Sequence, residues 1–190
     1  MNEYKNLPKV TKVLISLYVI LFVLDNMVLK GLLFELCSGK NLSDMQVNEW
    51  YRLFTAPFFH RNFFHLLANI FAIYFVGHIL ENKIGSLYFA LIYLMGHIGS
   101  SFVLAKLYYF NEGCGSSLGI YALIACILVL HLRNRDFLNL RFGTWSLNYT
   151  VYYFFIGNLI GISTLMAHSI GFIFGIITSI LLLTTGILKL

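Results

Sequence analysis

Residues 113–132 read GCGSSLGIYALIACILVLHL, a glycine-rich turn with two adjacent serines that runs into an apolar stretch free of Asp, Glu, Lys and Arg. Glycine lets a backbone approach its neighbours closely, and the first N–H groups of a helix have no partner within it. A run of this length without charge reads as a membrane-spanning helix that opens at Ser117. The same pattern extends on both sides. Apolar segments also cover about residues 10–27, 63–80, 87–109, 147–166 and 167–188, which gives six spans with 117–132. Of the 190 residues 59% are hydrophobic and only 11% charged, a composition foreign to soluble globular domains. The expected fold is an all-α polytopic bundle of six spans, one membrane domain over residues 1–190 with no room for a soluble one.

Charge placement argues topology and excludes other classes. The chain carries 13 Lys and Arg against 8 Asp and Glu, but the basic residues sit between apolar runs and form no stripe interleaved with exposed aromatics, so no nucleic-acid partner is expected. Lys5, Lys9 and Lys12 precede the first span, and Arg133, Arg135 and Arg141 fill the loop between the fourth and fifth. The loops before the fourth and sixth spans carry almost no positive charge, which places both termini in the cytoplasm, with a cell membrane as the expected location. The first apolar run is followed by Asp25, Asn26 and Met27 in place of a small-residue cleavage site, so it is expected to be retained as a span. The segment from about Val28 to Asn62 mixes charged and apolar residues and reads as a structured loop half embedded at the interface, with Trp50, Tyr51 and Arg52 at the membrane surface. Cys37, Cys114 and Cys126 are odd in number and form no Cys-x-x-Cys pair, so neither a disulfide framework nor a zinc site is indicated.

With this topology the second, fourth and sixth spans all begin at the non-cytoplasmic side. His65 and Asn69, Ser117, and His168 are thereby brought to one depth. Polar groups inside a membrane are costly, roughly 2.5 to 3.5 kcal/mol for a charge at the centre, and mark functional sites. Ser117 opens its helix after Gly115, with Tyr121 one turn on and able to pack beside an imidazole. Gly171 and Gly175 share the helical face of His168 and allow it to be pressed against a neighbouring span. A neutral His within reach of a Ser hydroxyl can take its proton during attack on a carbonyl. His65 and Asn69, one turn apart, can both donate to a developing oxyanion. A lone membrane His such as His78 or His97 has a plainer role as a hydrogen-bonding group between helices.

These residues together resemble the rhomboid family of intramembrane proteases. The resemblance covers about Trp50 to Gly175. Trp50-Tyr51-Arg52-Leu53-Phe54-Thr55, His60, His65 and Asn69 look like the family's first-loop and second-span elements, and Glu81 and Gly85 like the residues closing that span. Gly115-Ser116-Ser117 with Tyr121 is similar to its Gly-x-Ser segment, and Ala167-His168, Gly171 and Gly175 to its last-span motif. The resemblance implies a Ser117–His168 dyad, with His65, Asn69 and the Ser117 N–H as oxyanion donors and Gly115, Tyr121, Gly171, Gly175 and Arg52 in support. It also implies single-span membrane proteins as substrates, cut near the outer face of the bilayer, and no cofactor or metal. Leu118 departs from the family, which usually has Gly after the nucleophile; Gly119 is expected to supply some of the missing closeness.

The alternative is a catalytically inactive relative that binds membrane clients. A small transporter is disfavoured, since the chain has no repeat and no cluster of membrane carboxylates. Zinc and aspartyl intramembrane proteases are disfavoured by the lack of His-Glu-x-x-His and of paired aspartates in spans.

Overall fold

The computed structural model describes residues 6–107, 113–141 and 143–188. Every named element among them is helical: α1 (Lys9–Val23), α2 (Leu32–Cys37), α3 (Arg52–Thr55), α4 (Phe63–Ile84), α5 (Ser86–Leu107), α6 (Ser117–Arg133), α7 (Trp145–Asn158) and α8 (Ile162–Thr184). Six of these helices, α1, α4, α5, α6, α7 and α8, overlap the six apolar segments expected, though α7 has only 14 residues. By length and composition, α1 with its extension to Val28, α4, α5 and α8 can each cross a membrane, whereas α6 is a shorter apolar helix of 17 residues. At 1.5 Å per residue α6 is about 25 Å long, shorter than the roughly 30 Å of a bilayer core. Lys5 and most of the loop expected to face outward, Tyr109 to Gly113, lie outside the described residues.

α6 is the axis of the bundle, packed against α8, α5, α4 and α7. Its residues 119–127 are all buried, which accounts for the apolar character of 113–132 on every helical face. Close packing there depends on missing side chains. A Cβ on Gly175 would collide with the backbone of Ala122, and one on Gly171 would lie 2.6 Å from the Leu118 carbonyl oxygen. Both partners advance by four residues, so α6 and α8 run parallel and begin at the same end of the bundle.

α4 begins where the Asn62 side chain accepts the His65 N–H at 2.9 Å, and stops at Gly85, whose φ of +86° favours a residue without Cβ. Near that stop, buried Glu81 joins three helices. Its carboxylate accepts the Val10 and Thr11 N–H groups at 2.7 and 2.8 Å, the Thr11 hydroxyl at 2.7 Å and the Ser86 hydroxyl at 2.6 Å. The anion thus satisfies orphan donors at the α1 N-terminus and meets the positive end of its dipole. Thr11 itself occupies the space that a side chain on Gly77 would need. Glu81→Ala strands these donors, each worth about 1 to 3 kcal/mol when buried and unpaired. We expect it to lower resistance to unfolding in detergent by about 3 kcal/mol or more, with Glu81→Gln, which keeps an acceptor, falling between. Equal denaturation midpoints for the Ala variant and the native chain would remove Glu81 from this role.

The segment between α1 and α4 is an ordered frame, and Arg52 turns into it and does not face outward as an interface anchor would. Trp50 and Tyr51 are exposed, whereas Arg52 is buried at 2% exposure. Its guanidinium donates to the Glu35 and Ser38 carbonyls at 2.8 and 3.0 Å and pairs with Glu49 at 2.6 Å. A planar fork with five donors can hold a loop from several sides at once, and that need for acceptors draws it inward. The Gln46 N–H, the Arg52 guanidinium and Lys40 hold the Glu49 carboxyl down at about 2, so the pair stays ionised.

The fifth span was expected over 147–166 and the sixth over 167–188, but α7 stops at Asn158 and α8 starts at Ile162. His168 therefore lies well inside α8 and does not open it. The break hides in an unbroken apolar stretch, where Gly157, Asn158 and Gly161 are its only local signals.

Candidate active site

Ser117, His168, His65 and Asn69 line one cavity of about 740 Å³, bounded by α4, α5, α6, α7, α8 and the frame around Arg52. The parallel start of α6 and α8, with His65 pressed against the turn before Ser117, brings the four together. Gly115 has φ +99°, and a Cβ there would stand 2.5 Å from the His65 ring, so two separate constraints require glycine. Its N–H donates to the Ala56 carbonyl at 3.2 Å, while Gly113 exchanges backbone hydrogen bonds with Gly39 at 2.6 and 2.9 Å. The turn carrying the serines is thus fastened to the frame on both sides.

The two serines part company here. Ser117 lines the cavity; Ser116 is fully buried beside the hydroxyls of Tyr18 and Tyr93, which are 2.8 Å apart. Cys114 also borders the cavity. Gly119 faces away, its missing Cβ leaving room for the Tyr93 ring on α5. The closeness it supplies is thus toward α5, and the approach of α8 has another source. That approach comes from Gly171 against the Leu118 backbone, so the Leu118 side chain can border the cavity without parting the helices.

His168 is buried at 5% exposure and stacks on Tyr121, with ring centroids 4.0 Å apart and planes inclined by 17°. Its Nδ1 lies 3.0 Å from Asn158 Oδ1. Tyr121 is held in turn by its hydroxyl, which donates to the Phe154 carbonyl at 2.9 Å. Gly157 leaves room for both, since a Cβ there would come within 2.8 Å of the Tyr121 hydroxyl and 3.5 Å of the His168 ring.

Asn69 is buried and fixed from two directions. Its amide NH₂ donates to the His65 carbonyl at 2.8 Å, and its Oδ1 accepts the Tyr153 hydroxyl at 2.9 Å. This orientation leaves one amide hydrogen uncommitted to the His65 carbonyl. His60, on the loop before α4, packs edge-on to His65 with centroids 5.2 Å apart. Burial and the neighbouring His65 push the His60 imidazole down to about 3, so it stays neutral beside the cavity. His78 meets the Tyr74 carbonyl of its own helix at 2.8 Å, and His97 meets Ser101 at 3.0 Å, though His97 and Ser101 also border the cavity. Among the described residues no cluster of His, Cys, Asp or Glu could hold a metal ion.

Two residues of this site escaped the sequence reading. Asn158 left a signal, one of two amides, with Asn148, in the apolar run ahead of His168. Tyr153 left none, being one of 12 tyrosines.

Helices long and apolar enough for a bilayer, gathered around a cavity that holds Ser117, His168, His65 and Asn69, define a polytopic helical membrane protein. Residues 47–185, well over half of the chain, match the family model described as Rhomboid domain, and the chain belongs to the rhomboid family. It is similar to "Inactive RHOMBOID-like protein 8" of Arabidopsis thaliana, at 32% identity over 55% of this chain and 30% of that protein. It is also similar to "RHOMBOID-like protein 1" of the same plant, at 30% identity over 46% of this chain and 22% of that protein. The matches span less than a third of either relative.

Proposed function

We propose that this protein, as a single membrane domain, is an intramembrane serine endopeptidase that cuts single-span membrane proteins near the outer part of the bilayer. The observation that carries the reading is the lining of one cavity by Ser117, His168, His65 and Asn69 from three helices. In this reading the Ser117 hydroxyl attacks the scissile carbonyl while His168 Nε2 takes its proton. The tetrahedral oxyanion is received by the Ser117 N–H, Asn69 and His65. His168 then returns the proton to the departing amine, and water releases the acyl group by the same steps. Arg61, Asn62 and Lys40 on the cavity wall keep a polar path for that water. Substrate helices with small or helix-weakening residues suit the site, because a carbonyl must leave its own helix before it can be attacked.

Co-expression with a model single-span substrate, comparing the native chain with Ser117→Ala, tests the reading. Cleavage that requires Ser117 supports it. The first relative is named inactive, which favours a second reading, a catalytically inactive chain; the role proposed for it is to bind clients without cutting them. Then a tagged substrate would co-purify uncut with the native chain and with Ser117→Ala alike.

His65→Ala and Asn69→Ala should each slow turnover with little change in KM, since loss of one oxyanion donor costs roughly 2.7 to 4 kcal/mol of transition-state stabilisation. An unchanged rate in the double variant would return both residues to packing roles. In the proposed orientation in a cell membrane, Lys5 to Lys12 and Arg133 to Arg141 face the cytoplasm. Cysteine accessibility that placed Arg135 outside would reverse the topology.

A further inference from the structure

We infer that Asn158 is a positioning residue that fixes the proton of His168 on Nδ1 and so keeps Nε2 free as the base; its role in turnover rests on the protease reading above. A chain of donors and acceptors leads to the imidazole. The Phe154 carbonyl can only accept, and it lies 2.8 Å from the Asn158 amide nitrogen. The NH₂ of Asn158 must therefore face Phe154, and its oxygen must face away, toward His168 Nδ1 at 3.0 Å. An amide oxygen can only accept as well, so Nδ1 carries the hydrogen. A neutral imidazole has one N–H, and Nε2 is left with its lone pair.

The same Phe154 carbonyl accepts the Tyr121 hydroxyl at 2.9 Å, and the Tyr121 ring stacks on the imidazole it helps to hold. One carbonyl near the end of α7 thus sets both the plane of the His168 ring and its tautomer. The break after Asn158 is part of the device, because it ends α7 beside the imidazole. In the other tautomer the hydrogen sits on Nε2, which then has no lone pair with which to take the Ser117 proton.

The test uses the full chain in detergent micelles with ¹⁵N-labelled histidine, the His168 signals being assigned by their loss in His168→Asn. In the native chain the nitrogen shifts and N–H couplings should place the proton on Nδ1. In Asn158→Leu, which keeps bulk but offers no acceptor, they should report a mixture of tautomers. A proton on Nε2 in the native chain, or one wholly retained on Nδ1 in Asn158→Leu, overturns the assignment.

Kinetics on the model substrate test the consequence. Asn158→Leu should lower kcat by about tenfold or more with KM little changed, because a misplaced proton disables the base without disturbing substrate contacts. Asn158→Asp keeps an acceptor and should recover rate. Its carboxylate favours the imidazolium, so the acid limb of the pH–rate profile should move to higher pH. An unchanged kcat in Asn158→Leu, in a protein that cleaves, overturns the positioning role. A native chain that neither cleaves nor reacts at Ser117 overturns the protease reading and the catalytic half of this role with it, while the tautomer is still decided by the nitrogen spectra.

Discussion

Ser117→Ala is expected to reduce cleavage to background and to abolish labelling by a fluorophosphonate probe, while Ser116→Ala and Cys114→Ala keep most of the activity. Where a serine enzyme loses its nucleophile the rate falls by roughly 10⁶, the largest effect any single substitution here should have. The three side chains are close neighbours in sequence, but their surroundings differ. Ser116 is fully buried next to Tyr18 and Tyr93, away from the cavity. Cys114 borders the cavity from the turn outside α6, and an ordinary thiol there is mostly protonated at neutral pH. Of the two adjacent serines only Ser117 lines the cavity that also holds His168. Labelling should also require His168. A probe adduct mapped by mass spectrometry to Ser116, or labelling that survives Ser117→Ala, would show the dyad to be misassigned.

Gly171→Val should also be damaging, by a route that touches no reacting group. A first side-chain carbon at Gly171 would sit 2.6 Å from the Leu118 carbonyl oxygen and 3.1 Å from its Cα. These are backbone atoms, which cannot swing aside as a flexible side chain would. α8 must therefore move away from α6 and carry His168 with it. Overpacking of this kind costs about 1 to 3 kcal/mol in stability, and a misplacement near 1 Å can cost about 10²-fold in rate. We expect Gly171→Val to lose activity by about that factor or more while Leu118→Gly fails to restore it, because the collision involves the Leu118 backbone and not its side chain. Restoration by Leu118→Gly would place the side chain in the contact and revise the packing of α6 on α8.

The fold was largely legible before any coordinate. Long apolar runs in a chain with few charges permit little besides membrane helices, because no other segment satisfies its own backbone without water. Ser117, His168, His65 and Asn69 were legible for a related reason: polar groups stand out in apolar runs, and topology brings three helix starts to one end. The resemblance to rhomboid motifs sharpened that choice, and the family match bears out the family.

The tertiary structure decided what depends on who meets whom. Residues 147–188 form one apolar stretch, so only the fold reveals that α7 ends at Asn158 and that His168 sits inside α8. Arg52 read as a surface anchor because its charge suits an interface; in the fold it is buried, its donors taken by the Glu35 and Ser38 carbonyls and by Glu49. Gly119 read as a substitute for the glycine missing at Leu118, yet it faces Tyr93 on α5. The hold of Asn158 on His168 and of Tyr153 on Asn69 joins side chains on different helices. Periodicity and spacing report which residues share a face and which end of the membrane a helix starts from. A hydrogen bond acts over about 3 Å and in one direction, so its partner is chosen only when the helices have packed.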